Sequence, residues 1–194
     1  MAAIHKTEGI ILSHYDMGEA DKFINLFTKD FGKISLVAKS VRTAQSKLKG
    51  HINTGSEARL MFTGNSEYMR LTDIEERLNF FAGAPDLAAR HAMSSALRLV
   101  DRMVQGSERD DGIWDLLRGF MDFARKGGVF SSAATAEKVF GVRLLAHLGY
   151  IDGALRSELK EVVDTGGWSD VFVSAVGVFQ ISKLFDDGIY ASGL

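Results

Sequence analysis

Between Phe31 and Ser56 the chain reads FGKISLVAKSVRTAQSKLKGHINTGS, with Lys33, Lys39, Arg42, Lys47 and Lys49 and not one Asp or Glu. Side chains of this type do one kind of chemistry well. They neutralise phosphate, and such contacts supply most of the non-specific affinity of proteins for nucleic acid. The whole chain carries −2, so a window at +5 leaves −7 for the remainder. Positive charge in a protein that is acidic on average has been gathered in one place, and a polyanion is the partner expected there. The alternative for the same residues is a solvated loop that happens to lack carboxylates.

Catalytic chemistry has no comparable footing. The five histidines, His5, His14, His51, His91 and His147, are scattered, with no His-Glu-x-x-His or similar ligand spacing. No phosphate-binding G-x-x-x-x-G-K-[ST] loop, no G-x-G-x-x-G fingerprint and no G-x-S-x-G elbow occurs. The acidic run Asp73-Ile74-Glu75-Glu76 reads as a solvated strand end rather than as paired catalytic carboxylates. Met93 and Met103 read as core. The expectation is therefore a protein that is not an enzyme and uses no metal or other cofactor.

The elements that must position the basic window follow from periodicity. From Thr7 to Arg77 the period is close to two. Strands are expected at Glu8–His14, Lys22–Thr28, Lys33–Ala38, Glu57–Thr63 and Glu67–Ile74, with turns at Tyr15–Glu19, Asp30–Gly32 and Gly64–Ser66. Five short strands suggest a small barrel or sandwich, and closure is preferred because an open sheet leaves edges unprotected. A barrel with positive loops can hold single-stranded nucleic acid, the groove tracking phosphates and exposed aromatics stacking bases. Phe27, Phe31, Phe62 and Tyr68 lie near strand ends, and Phe31, in the turn that opens the basic window, is the aromatic expected to stack.

The single proline, Pro85, falls where the period changes to 3.6. Helices are expected over Leu87–Gln105, from a cap at Asp110 or Asp111 to Gly127-Gly128, and from a cap at Ser131 or Ser132 to Gly149. Val171–Ile181 is too evenly apolar and β-branched to separate a buried helix from a strand pair. The expected division is residues 1–80 for the β-domain and 81–194 for a mainly helical one, an α+β protein. No run approaches the ~20 apolar residues of a membrane span, and the start shows no secretory pattern, so no membrane partner is expected. The absence of cysteine excludes disulfides and agrees with a cytosolic setting.

In order and spacing, several stretches resemble the RecO family of recombination and repair proteins. They are Thr7–Leu12 (TEGIIL), Gly18–Lys22 (GEADK), Thr28–Lys39 (TKDFGKISLVAK), Ser46–Gly50 (SKLKG) and Phe140–Tyr150 (FGVRLLAHLGY). The resemblance implies an N-terminal OB-fold barrel followed by a helical domain. It also implies a cytoplasmic, nucleoid-associated protein that binds single- and double-stranded DNA and anneals complementary strands. Its implied partners are RecR and the C-terminal tail of the single-strand binding protein SSB, with RecA loaded as the indirect outcome. The family's DNA-contacting cations carry over onto Lys39, Arg42, Lys47 and Lys49, with Lys33 and Lys22 beside them. The pattern is lost after Tyr150, where many members carry a four-cysteine zinc module that this cysteine-free chain cannot form. Two other readings stand beside the DNA mediator: an OB-fold scaffold that docks proteins with incidental DNA affinity, and an RNA-binding OB module.

Overall fold

The computed structural model describes residues 3–65, 68–128, 132–151, 168 and 175–192. These form two compact units. The first takes the chain up to Ala82 together with Val104–Trp114; the second takes Gly83–Met103 and the chain from Asp115 onward.

The first unit is a closed five-stranded barrel in the order β1-β2-β3-β5-β4, with β1 Ile4–Met17, β2 Asp21–Thr28, β3 Gly32–Ala38, β4 Ser56–Asn65 and β5 Tyr68–Asn79. All neighbours are antiparallel except β3 and β5, which meet in parallel through Val37 and Arg70. This is the OB arrangement. Every strand expected from the alternation is present, although β1, β4 and β5 run further than the apolar pattern marks. Ile4 is 64% exposed, so hydrophobicity gives no sign of it; the ladder to Thr63 is what recruits it. At the other end of β1, Tyr15, Asp16 and Met17 are strand rather than turn, because they pair with Phe23, Lys22 and Asp21 across a hairpin confined to 18–20. Leu12 is the extra residue of a bulge that lets this long strand bend from β4 towards β2.

The interior is filled by alternate residues: Ile24 and Leu26 on β2, Ile34 and Leu36 on β3, Leu60 and Phe62 on β4, all at most 3% exposed. Ile10 and Phe27, paired across β1 and β2 on the opposite face, are also fully buried. A sheet region covered on both faces explains why Ile10-Ile11-Leu12 reads as a continuous apolar run. The loop from 39 to 55 closes one mouth of the barrel. Its Val41 and Ile52 belong to the interior core and Leu48 packs against it. Asp73 to Glu76 lie within β5 rather than at its end: Asp73 and Glu75 are exposed, while the half-buried Glu76 accepts from Asn53 (2.8 Å) and from Ser56. At the opposite mouth, Gly32 turns from β2 into β3 at φ +60°, and the backbone of Glu108 lies where its side chain would be.

The second unit contains α1 Leu87–Met103, the remainder of α2 Asp111–Arg125, α3 Ala133–His147 and α4 Ala175–Ser192. Each of the first three begins at a side-chain cap. Asp86 accepts from Ala89 N–H (2.8 Å), Asp110 from Ile113 N–H (2.9 Å) and Ser132 from Thr135 N–H (3.1 Å). Met93 and Met103 are buried. From Val139 to Ala146 α3 is buried all round, Arg143 included, rather than along one stripe. The Arg143 guanidinium lies 4.2 Å over the Trp168 indole, and burial pushes its pKa down to about 10. The ambiguous segment resolves in part: Ala175–Ile181 opens α4, while 171–174 lie outside the described residues, as do Ser66, Glu67 and Ser131.

Candidate nucleic-acid interface

The cations of the basic window do not all meet. Lys39 directly follows β3, and Arg42, Lys47 and Lys49 come after it on the loop that caps the barrel. Lys22 opens β2 at that same mouth, because β2 runs antiparallel to β3 and Lys22 pairs with Ala38. Lys33 stands at the far end of β3, about 20 Å away at the rise of an extended strand. Phe31 is at that far end too. It is half-buried, edge-on to Phe62 and His5 at 5.3 Å from each, and packed against the barrel core. Lys22, Lys39 and Arg42 therefore gather at one mouth, while Lys33 and Phe31 sit at the other; Lys47 and Lys49 lie further along the loop, which by His51 has reached Glu76 of β5.

Two carboxylates that the sequence reading left in a turn and a motif organise this mouth. Asp16 bonds Lys22 (3.2 Å) and Arg42 (3.2 Å), and the Arg42 guanidinium also donates to the Gly18 carbonyl (3.0 Å). Asp21 accepts from the Lys39 ammonium (2.7 Å) and from the Ser40 backbone N–H (2.8 Å). Ser40 is left-handed, φ 54°, and the Asp21 bond holds it so. The Lys22 ammonium, foremost, keeps Asp16 below the usual carboxylate range, and Lys39 does the same for Asp21, with Ser40 N–H adding to it. Arg70 on β5 also contributes to the Asp21 shift. The barrel thus brings to this mouth, besides Lys22, a second cation from outside the basic window.

His14 completes the cluster. Lys22 Nζ lies 3.1 Å from its Nδ1. An ammonium can only donate, so Nδ1 accepts and the ring is neutral with its proton on Nε2. Burial first, and then Lys22, lowers the His14 pKa, against the opposing pull of Asp16. Lys47 and Lys49 are exposed and without an ion-pair partner among the described residues.

Beside the ion pairs lies an aromatic pair. Tyr15 stands opposite Phe23 across β1 and β2, the rings stacked at 5.0 Å and 24°. Both this pair and the Asp16–Lys22 pair are signalled in the sequence once the hairpin is centred on 18–20, since counting outward sets 16 against 22 and 15 against 23. Arg70 has no such local signal. It arrives through the parallel β3–β5 contact, which only closure of the barrel creates. Among the described residues, no group of three or more His, Asp or Glu side chains is placed to hold a metal ion.

Residues 1–78 match the family model described as "Recombination protein O N terminal". Curated relatives extend the similarity into the helices. The chain is 28% identical to the DNA repair protein RecO of Heliobacterium modesticaldum over 169 residues, 85% of this chain and 60% of that protein. It is 27% identical to the RecO of Halalkalibacterium halodurans over 123 residues, 63% of this chain and 48% of that one. It is 28% identical to the RecO of a Roseiflexus species over 147 residues, 76% of this chain and 50% of that one. The chain spans about half to three-fifths of the length of these relatives. A five-stranded OB barrel over the residues that match the family model, followed by helices along which RecO proteins continue to match, makes this chain similar to the RecO family of DNA repair proteins over most of its length.

Proposed function

We propose that this protein is a non-enzymatic DNA-binding mediator of recombinational repair, acting in the cytoplasm at the nucleoid. It takes single- and double-stranded DNA on the loop-capped mouth of the barrel and anneals complementary strands. With RecR, and with SSB on the coated strand, it helps to load RecA. The observation that carries this reading is the gathering of Lys22, Lys39, Arg42 and Arg70 at one mouth of an OB barrel, with Lys47 and Lys49 exposed on the loop that leaves it, in a chain of net charge −2. Neutralising the phosphates of two strands on one surface lowers their mutual repulsion, which is the electrostatic obstacle to annealing.

Lys39, Arg42 and Lys22 are held by Asp21 and Asp16, so a phosphate that engages them takes over from a carboxylate. Lys47 and Lys49 are the cations ready to receive a phosphate without such an exchange. Anisotropy of a labelled oligonucleotide at several salt concentrations separates these contributions. With four or five phosphate contacts the slope of log K against log salt on single strands is about −3, and with Lys47 and Lys49 alone it is about −1.4. Reversal of Lys39, Arg42, Lys47 and Lys49 to Glu is expected to abolish binding and annealing together. A reversed variant that binds and anneals DNA as well as the parent overturns the proposal.

The internal pairing of three of the cations favours one second reading, a barrel that mainly docks RecR or another protein. Under it the binding isotherm barely responds to salt, and DNA binding needs the partner. Competition between RNA and DNA of one sequence tests the remaining OB-fold alternative, an RNA-binding module.

A further inference from the structure

We infer that Tyr15, backed by Phe23, is a stacking platform for an unpaired nucleobase, and that it confers a preference for single strands on this mouth of the barrel. The inference rests on the DNA-binding reading above and adds the element that meets the base rather than the phosphate. Tyr15 is 54% exposed, and it is the one exposed aromatic on the barrel among the described residues whose side chains are placed. A single exposed ring needs no explanation by itself; what sets this one apart is that it stands stacked on Phe23 beside the Asp16–Lys22 and Asp16–Arg42 ion pairs.

Its surroundings supply the rest of a nucleotide site. Tyr15 pairs with Phe23, Phe23 with Val37 and Val37 with Arg70, so this row lies across one face of four adjacent strands. Asp21 and Lys39 lie on the same face, two residues along β2 and β3, and Asp21 is close enough to Arg70 to feel its charge. On the other side of the row, Asn25 donates to Ser13 (3.0 Å) and accepts from Ser35 (2.8 Å). A base lying on Tyr15 thus has cations on one side for its phosphates and an amide-hydroxyl row on the other for its edge. Phe23 fixes the tyrosine ring before any ligand arrives, which reduces the ordering cost of stacking. A duplex has both faces of every base already occupied, so only an unpaired base uses the platform at no cost in unstacking.

The test compares the parent with Tyr15→Ala, Tyr15→Phe and Tyr15→Trp. Each is titrated into a labelled single-stranded oligonucleotide, the same length of abasic strand, and a duplex, at one salt concentration. Tyr15→Ala is expected to weaken the single strand roughly tenfold, within the range for loss of one stacked base. Abasic and duplex affinities and the salt slope should stay at the parent values. Tyr15→Phe should retain the single-strand preference, and Tyr15→Trp should equal or exceed it, which guards against a result caused by a damaged hairpin. If Tyr15→Ala leaves single-strand affinity within twofold of a parent that binds DNA steeply with salt, the platform is refuted and the DNA reading stands. Equal weakening on all three ligands also refutes it, since Tyr15 would then serve only the hairpin. A parent that binds none of the three overturns the DNA reading itself.

Discussion

Gly18 and Gly32 offer a matched pair of substitutions that isolates one packing contact. Both are left-handed, at φ +59° and +60°. A side chain at Gly18 would meet nothing within 4 Å, whereas one at Gly32 would overlap the backbone carbonyl of Glu108. Alanine therefore pays the same conformational cost at both sites, about 1–2 kcal/mol for an L-residue in this region. At Gly32 it also has to displace backbone, which moves less readily than the end of a side chain, and overpacking of this kind adds about 1–3 kcal/mol. Gly18→Ala should lower stability by about 1 kcal/mol and Gly32→Ala by about 3. Urea unfolding of both variants gives the two numbers and, through the shared φ, their difference as the steric part alone. In a chain of this size each 1 kcal/mol is about 2–4 °C in Tm, so thermal scans should separate them as well. Gly32→Ala should also make the segment around Glu108 more susceptible to limited proteolysis, which Gly18→Ala should not. If the two variants agree within about 0.5 kcal/mol, the spread expected of an unremarkable surface site, then Glu108 does not lie against the β2–β3 turn.

Asp21→Asn keeps an oxygen for the Ser40 N–H but releases Lys39 from its ion pair, so oligonucleotide affinity and the steepness of its salt dependence should both rise in anisotropy titrations. Unchanged affinity would mean that Lys39 does not meet phosphate. His14 titrates below its ordinary value in the fold, so the unfolded chain takes up its proton first as the pH falls. Stability should be level above about pH 6.5 with respect to this group, decline as the pH drops from there through the folded pKa, and level off again below it. Urea midpoints at pH 7, 6 and 5 should show the decline, and His14→Asn, which keeps an acceptor for Lys22 but cannot titrate, should show less of it. An identical decline in the variant would assign the pH dependence elsewhere.

Much of the barrel is legible in the sequence because one face of each strand is buried and the alternation marks it. The helix starts are legible because Asp86, Asp110 and Ser132 are residue types that satisfy the free N–H groups of a first turn. What hydrophobicity cannot mark is structure held by backbone pairing alone, such as the exposed Ile4 or the Tyr15–Met17 end of β1. The helix α3 is marked by its period, but not the burial on all sides that encloses even Arg143. The candidate site was legible as a charge count and not as a place. A window that looks continuous in sequence is split between the two ends of β3, with Lys33 at one and Lys39 at the other. The carboxylates that hold its cations come from the preceding hairpin. Val104–Trp114 carries no signal that it belongs with the barrel, since its membership depends on contacts with residues more than seventy positions away, such as Gly32.

The order β1-β2-β3-β5-β4 has a consequence for how the barrel assembles and opens. Two pieces can form from local contacts, a three-stranded meander over Ile4–Ala38 and a hairpin over Ser56–Asn79. They are joined by the loop that carries Arg42, Lys47 and Lys49, so the cationic segment is also the tether whose closure entropy opposes the union of the halves. One join, β1 to β4, is registered from Ile4 to Ile10; the other, β3 to β5, has only Val37 with Arg70 among the described residues. The short join is the seam along which the cylinder should first part, and amides beside it should exchange with solvent sooner than those of the long one. Lys39 and Arg70 stand on its two sides. An anion that bridges them would act as a clasp, slowing exchange at the seam and holding closed the cylinder on which it rests.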